Sequence, residues 1–166
     1  MDPKRLLVTG GAGFIGSSLV KFLLGQNNHV TVFDNFSEGN NLQKIKSDHL
    51  RVIKGDLTSV SDFKKVPTQF DIIFHLAADP EVRLTITNPQ SIFSNNIEAT
   101  YHLLEWAKDT TAHTIVFTSS STVYGDADII PTPESNPCRP ISLYGGSKLA
   151  CESLYLHIVI HMERKE

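Results

Sequence analysis

The chain of 166 residues has only two cysteines, Cys138 and Cys151, and a single tryptophan, Trp106. Neither cysteine belongs to a CxxC or any other metal-ligand spacing, and so sparse a set suits a reducing compartment and disfavours a disulfide. An excess of basic charge is missing too. Fifteen Lys and Arg stand against eighteen Asp and Glu, a net charge of −3, so nothing in the charge balance tracks nucleic-acid phosphates. No apolar run approaches a membrane span, and the N-terminus runs directly into a strand-like segment without the shape of a secretory signal. The sequon "NFS" at 35–37 carries no weight in that context. The expectation is a cytoplasmic chain that meets neither membrane nor nucleic acid. Internal repeats and low-complexity stretches are also absent, which excludes solenoids and disordered arrays.

What is present is an alternation of short apolar runs with longer helix-compatible segments. "RLLVTG" (5–10), "HVTVFD" (29–34), "LRVIKGD" (50–56), "DIIFHLAA" (71–78) and "TIVFTSS" (114–120) read as strands. Their uniform apolarity predicts a parallel sheet covered on both faces. A helix is predicted over 14–24, with Ile15, Leu19, Phe22 and Leu23 on its inner face and Gly25 as its C-cap. A second is predicted over about 89–108, with Ile92, Phe93, Asn96, Leu103, Leu104 and Trp106 turned inward. The rhythm predicts one domain over 1–166: an α/β doubly wound parallel sheet with right-handed crossovers. The segment 125–143 carries four prolines and predicts a long irregular loop.

"VTGGAGFIGSS" follows the first strand and opens the first helix. It fits G-x-G-x-x-G through Gly11, Gly13 and Gly16, and a wider spacing through Gly10, Gly13 and Gly16. Such a loop turns tightly, lets a pyrophosphate approach bare backbone and presents a helix N-terminus to it. The second strand ends in Asp34, eighteen residues beyond Gly16. A carboxylate there accepts hydrogen bonds from ribose hydroxyls and repels a 2′-phosphate, which favours NAD over NADP. Asp56 and Leu57 are candidate neighbours of the adenine.

Farther on, "SLYGGSKLACESL" sets Tyr144 and Lys148 one helical turn apart, 24 residues after Ser120. A phenol is a poor base at neutral pH. A nearby ammonium favours the phenolate, as does the positive charge of an oxidised nicotinamide. Gly145, Gly146 and Ser147 are expected to keep the surface between the pair low enough for a cofactor ribose. Ser120, at the C-terminal end of a strand, lies where open α/β sheets bind ligands. His157 and His161, at i and i+4, have the spacing of a zinc pair but no evident third ligand, so no metal is expected. His75 has a packing reading and a cofactor-contact reading, both open.

Taken in order, the glycine loop, "DIIFHLAA", "NNIEATYHLLEWA", "SSSTVYG" and "YGGSK" resemble the extended short-chain dehydrogenase/reductase family. Within it they are most similar to the NAD-dependent epimerase/dehydratase branch, and there to nucleotide-sugar 4-epimerases of the UDP-glucose 4-epimerase type. The resemblance covers about residues 4–155. It implies an NAD(P)-binding Rossmann fold, NAD as cofactor and a UDP-hexose as substrate. It also implies catalytic roles for Ser120, Tyr144 and Lys148. Cofactor contacts are implied for Gly10, Gly13, Phe14, Ile15, Gly16, Asp34 and Asn35. Asp56, Leu57, Leu76, Ala77, Ala78 and Asn96 continue that set, together with Tyr144 and Lys148. Substrate contacts are implied for Ser120, Ser121 and Thr122; Arg83 and Thr85, after the fourth strand, have a substrate-contact reading and an exposed-loop reading, both open. A dehydratase of this branch carries an Asp-Glu pair where Ser121 and Thr122 stand, which points to an epimerase or a simple reductase.

The same resemblance implies a homodimer through the helices carrying Asn96 and Tyr144. Ala99 departs from the family's glycine at that position. The family's usual length is about twice that of this chain, and "LHIVIHMERKE" does not match its continuation. The chain is therefore expected to be a cofactor-binding half without the C-terminal substrate domain, weakly active or inactive alone. A reductase or dehydrogenase and a non-catalytic NAD-binding module remain the alternatives.

Overall fold

The computed structural model describes residues 2–81 and 88–162, the side chains of 157–162 excepted. The candidate substrate contacts Arg83 and Thr85 and the side chains of His157 and His161 lie outside the described residues. Two compact units are present. One comprises Met1–Ala77 with Glu105–Thr118, the other the described part of Ala78–Leu104 with Ser119–Glu166.

The first unit is a parallel sheet. Its strands are β1 (Arg5–Thr9), β2 (His29–Asp34), β3 (Leu50–Lys54), β4 (Ile72–His75) and β5 (Thr114–Phe117), in the order β3-β2-β1-β4-β5. The order is doubly wound about β1, and a doubly wound sheet is what the alternating sequence predicts. Leu6, Leu7 and Val8 of β1 and Val30, Val32 and Phe33 of β2 are buried, as central strands require. Coverage of both faces fails at the two flanks. β3 ladders only onto β2 and β5 only onto β4. Val52 and Val116 are more than two-fifths exposed there. The strands also stop short of the predicted ends, β1 at Thr9 and β4 at His75, because the next residues leave the sheet as loops.

Helix α1 (Phe14–Gly25) buries Gly16, Ser17, Val20 and Leu23. The predicted face is wrong in part: Ile15 and Phe22 are exposed and Leu19 only partly buried. Gly16 sets the rotation. A Cβ there would lie 2.1 Å from the Gly10 carbonyl oxygen, so position 16 must face the loop, and 20 and 23 follow it inward. Gly25 is not the cap either. Gln26 caps, and Asn27 takes the left-handed conformation at φ 62°. The Asn27 N–H donates to Leu24 O and the Asn28 N–H to Leu23 O, a Schellman closure with asparagine in the place glycine usually takes.

The second predicted helix is composite. A first turn, α2 (Pro89–Ile92), capped by the Asn88 side chain, passes into a π-helical segment, Phe93–Glu98, and then α3 (Ala99–Ala107). Ile92, Asn96, Leu103 and Leu104 are buried as expected, but Phe93 is half exposed. The wider π turn moves it off the inner face. Trp106, in the first unit, is half-buried against Phe63 and Phe70, with ring centroids 5.4 and 6.4 Å away. In the second unit, α4 (Leu143–Met162) packs on the π segment and on a 3-10 turn, Ser121–Tyr124. Between that turn and α4 the chain has no helix or strand, as its prolines predict.

Candidate functional site

In the first unit the glycine loop is shaped by steric exclusion. Gly10 has φ 68°, and a Cβ on it would lie 2.5 Å from the Ala77 amide nitrogen. With Gly16 closed against Gly10, the wider spacing through Gly10, Gly13 and Gly16 is the one this turn uses. Gly11 serves another contact: its Cβ would meet the Val32 side chain at 2.8 Å. Gly13 is the N-cap of α1, offers no side-chain cap, and is followed by the exposed Phe14 and Ile15. The first turn of α1 thus presents its positive dipole end without an acidic side chain to neutralise it. Leu76 and Ala77, after β4, are half-buried beside this loop, and Ala78 begins the second unit.

Asp34 ends β2 and ties the loop together. Its Oδ2 accepts the Ala12 N–H at 2.9 Å and its Oδ1 the Phe36 N–H at 2.7 Å. Each oxygen keeps a lone pair for a further donor. The Asn35 amide donates to Asp56 Oδ2 at 3.2 Å, and Thr58 donates to Asp56 Oδ1 from both N–H and hydroxyl. Burial raises the Asp56 carboxyl, but these hydrogen bonds outweigh it and hold the group below its ordinary value. Leu57 is buried beneath it. His75 resolves toward packing: it is buried, its Nδ1 lies 2.6 Å from Thr9 Oγ1, and its ring stacks on Phe117 at 5.7 Å.

In the second unit the structure brings Ser120, Tyr144 and Lys148 together. Ser120 caps the 3-10 turn, and its Oγ accepts the Thr122 hydroxyl at 2.9 Å. Its side chain is also hydrogen-bonded to Tyr144, while the Lys148 Nζ lies 5.8 Å from the Tyr144 ring centroid. Lys148 is buried, and burial lowers its pKa, with the Cys151 thiol acting in the opposite sense. Tyr144 departs from the sequence expectation. Burial raises its phenol and the Ser120 hydrogen bond pulls only partway back, so in the protein alone the phenol is held protonated at neutral pH.

Asn96 is tied into the protein's own hydrogen-bond network. Its Oδ1 accepts the Asp79 N–H at 2.7 Å, and its Nδ2 donates to Asp79 O at 3.2 Å and to Ser147 Oγ at 2.9 Å. Both amide hydrogens are thereby used inside the protein. Ser147 in turn donates to Tyr144 O at 2.7 Å, so the π segment, the loop after β4 and the start of α4 are locked into one network. Ser147 is buried and does not form the low surface predicted for it. Gly145 is needed for packing, since its Cβ would lie 2.6 Å from Thr122 O; Gly146 alone faces open space.

Sequence reasoning missed Asp79, which also accepts the Ser91 hydroxyl at 2.6 Å, and Glu152, which accepts the Ser119 hydroxyl. Glu152 stands four residues after Lys148 and eight after Tyr144, a helical spacing that marks their shared face. Asp79 carries no such signal. Cys151 is buried and donates to Asn96 O, Cys138 is exposed, and both thiols are free. Among the described residues no group of three or more metal-ligating side chains occurs, and no helix is long and apolar enough to cross a membrane.

Residues 6–159 match the model of the NAD dependent epimerase/dehydratase family. The UDP-glucose 4-epimerase of Corynebacterium glutamicum is 33% identical over 148 residues, 89% of this chain and 44% of that protein. The UDP-Glc/GlcNAc 4-epimerase of Campylobacter jejuni superposes with a TM-score of 0.89 at 29% identity, covering 95% of this chain and 50% of the other. The Brucella ovis UDP-glucose 4-epimerase, solved in complex with NAD, gives 0.83 at 30% identity, covering 95% and 48%. The chain spans about half the length of these relatives.

Proposed function

Because this chain belongs to the NAD dependent epimerase/dehydratase family, whose cofactor is NAD, we propose that it carries the cofactor-binding and proton-transfer part of a UDP-hexose 4-epimerase. The observation that supports this most is the gathering of Ser120, hydrogen-bonded to Tyr144, with the buried Lys148 ammonium 5.8 Å from the Tyr144 ring centroid. The glycine loop fits the cofactor as well, since Cβ atoms would close it at Gly10 and Gly16 and an uncapped helix end follows.

Gly10, Gly13 and Gly16 with the backbone of Phe14 and Ile15 would receive the pyrophosphate. Asp34 would accept the ribose hydroxyls, with Asn35, Asp56 and Leu57 toward the base and Leu76, Ala77 and Ala78 along the dinucleotide. Bound NAD⁺ would supply a hydride acceptor and, on return, a hydride donor. Tyr144 would take the proton of the sugar 4-hydroxyl and return it to the same C4 oxygen once the 4-keto sugar has turned its other face to the cofactor. Ser120, with Ser121 and Thr122 beside it, would hold the reacting oxygen. Lys148 would hold a ribose and favour the phenolate. Asn96 would act by holding Ser147, and through it the first turn of α4. The raised phenol calls for a further cation to make a base at neutral pH, which an oxidised nicotinamide supplies.

Arg83 and Thr85 complete the proposed substrate contacts. A homodimer and a cytoplasmic location belong to the same reading. The half-length chain is expected to be weakly active or inactive in interconverting UDP-glucose and UDP-galactose. The test is interconversion by the NAD⁺-loaded chain, followed with the absorbance of reduced nicotinamide. Weak interconversion without net reduction, abolished by Tyr144→Phe, would support the epimerase reading. Net accumulation of reduced cofactor would transfer the assignment to a dehydrogenase. Cofactor binding with no interconversion would leave only a binding module.

A further inference from the structure

At the N-terminal edge of the sheet, His29 opens β2 and His49 immediately precedes β3. The parallel ladder sets Val30 opposite Leu50, and the Val30 N–H donates to His49 O at 2.8 Å, so the two histidines are held side by side by backbone register. Both rings are exposed. Their Nδ1 atoms stand 3.1 Å apart, with ring centroids 4.5 Å apart and planes at 73°.

The pair meets the geometry of a ring-to-ring hydrogen bond, but not of a collinear one. A collinear N–H···N bond of that length would separate the ring centroids by roughly 5.4 Å. The observed 4.5 Å therefore means that the rings are bent from collinear. Two metal–nitrogen bonds of about 2.0–2.1 Å, meeting at an angle between square and tetrahedral, separate their nitrogens by roughly 2.9–3.4 Å. The Nδ1 pair falls inside that range.

We propose that His29 and His49 form a two-point chelate for a borderline divalent cation of the Zn²⁺, Ni²⁺ and Cu²⁺ class. Imidazole nitrogen suits these ions and not Mg²⁺ or Ca²⁺. No third protein donor joins the pair among the described residues, so water completes the coordination and the ion exchanges freely. Binding ties the starts of β2 and β3 together and stabilises the sheet unit. The ion displaces any proton shared between the two Nδ1 atoms, and each ring keeps its remaining proton on Nε2.

The test is thermal unfolding of the full chain at neutral pH with zinc chloride and, separately, magnesium chloride. Zinc at tenfold its dissociation constant is expected to raise Tm by about 3–6 °C, reversibly with a chelator, and magnesium to leave it unchanged. The rise is expected to vanish in His29→Ala and in His49→Ala. It is expected to persist when His157 and His161, the pair at i and i+4 in the sequence, are both replaced by alanine. A rise that survives either single variant, or no rise in the parent chain, overturns the proposal. Should a variant fail to fold, the parent chain decides: paramagnetic Ni²⁺ must broaden the ring signals of His29 and His49 together, and broadening of one or neither overturns it.

Discussion

Gly16 in the first unit and Gly146 in the second both lie in motifs of small residues, yet their surroundings are opposite. Gly16 is closed in by backbone: its absent Cβ would meet Gly10 O at 2.1 Å and the Gly11 Cα at 2.7 Å. Gly146 has open space where a Cβ would go. The first glycine is dictated by the fold, and the second meets no packing constraint. The same contrast runs through the two units. The glycine loop is a site made of backbone, fixed by what cannot fit. The Tyr144 cluster is made of side chains, and Asp79, Asn96 and Ser147 hold the backbone that carries it.

Gly16→Ala should break the comparison most severely. With backbone on the opposing side it is expected to cost about 3 kcal/mol and to abolish NAD binding, read by chemical denaturation and cofactor titration. Next comes Asn96→Ala, which strands the Asp79 N–H and removes the donor to Ser147; a loss of about 2–3 kcal/mol is expected. A cost below about 0.5 kcal/mol would mean that the network does not hold the helix.

Gly145→Ala and Gly146→Ala sharpen the contrast within one turn of α4. The first meets Thr122 O and should lose about 1–2 kcal/mol. The second meets nothing and should gain about 0.5–1 kcal/mol, because glycine is a poor helix former. If Gly146 nonetheless serves the cofactor, its alanine variant will be more stable and bind NAD more weakly. The smallest effect concerns Asp56. Its folded carboxyl titrates below the unfolded value of 3.8, so the stability it contributes is present above that value and lost as pH falls through the folded one. Asp56→Asn should flatten that part of an acid-unfolding curve.

Much of the fold was legible in the sequence because β-branched runs and a glycine loop are local signals. The five strands and a doubly wound parallel sheet follow from them, though the order of the strands does not. The face of α1 was not legible, because apolar residues occur all around it and only the tertiary contact between Gly16 and Gly10 selects the inner side. The exposure of Phe93 depends on a π segment, which no pattern at a regular period reveals. In the Tyr144 cluster, Tyr144 and Lys148 were marked by their spacing and Ser120 by the family resemblance. The rise of the Tyr144 phenol was not, since it comes from burial. Asp79 joins Asn96 across seventeen residues, and a partnership at that distance leaves no periodic trace.

The central proposal is that the glycine loop of the first unit holds NAD. Non-denaturing mass spectrometry of the purified chain with added NAD⁺ tests it most directly. The account predicts a species carrying one NAD per chain, lost in Gly16→Ala. A chain that stays bare at saturating NAD⁺ while remaining folded would contradict it.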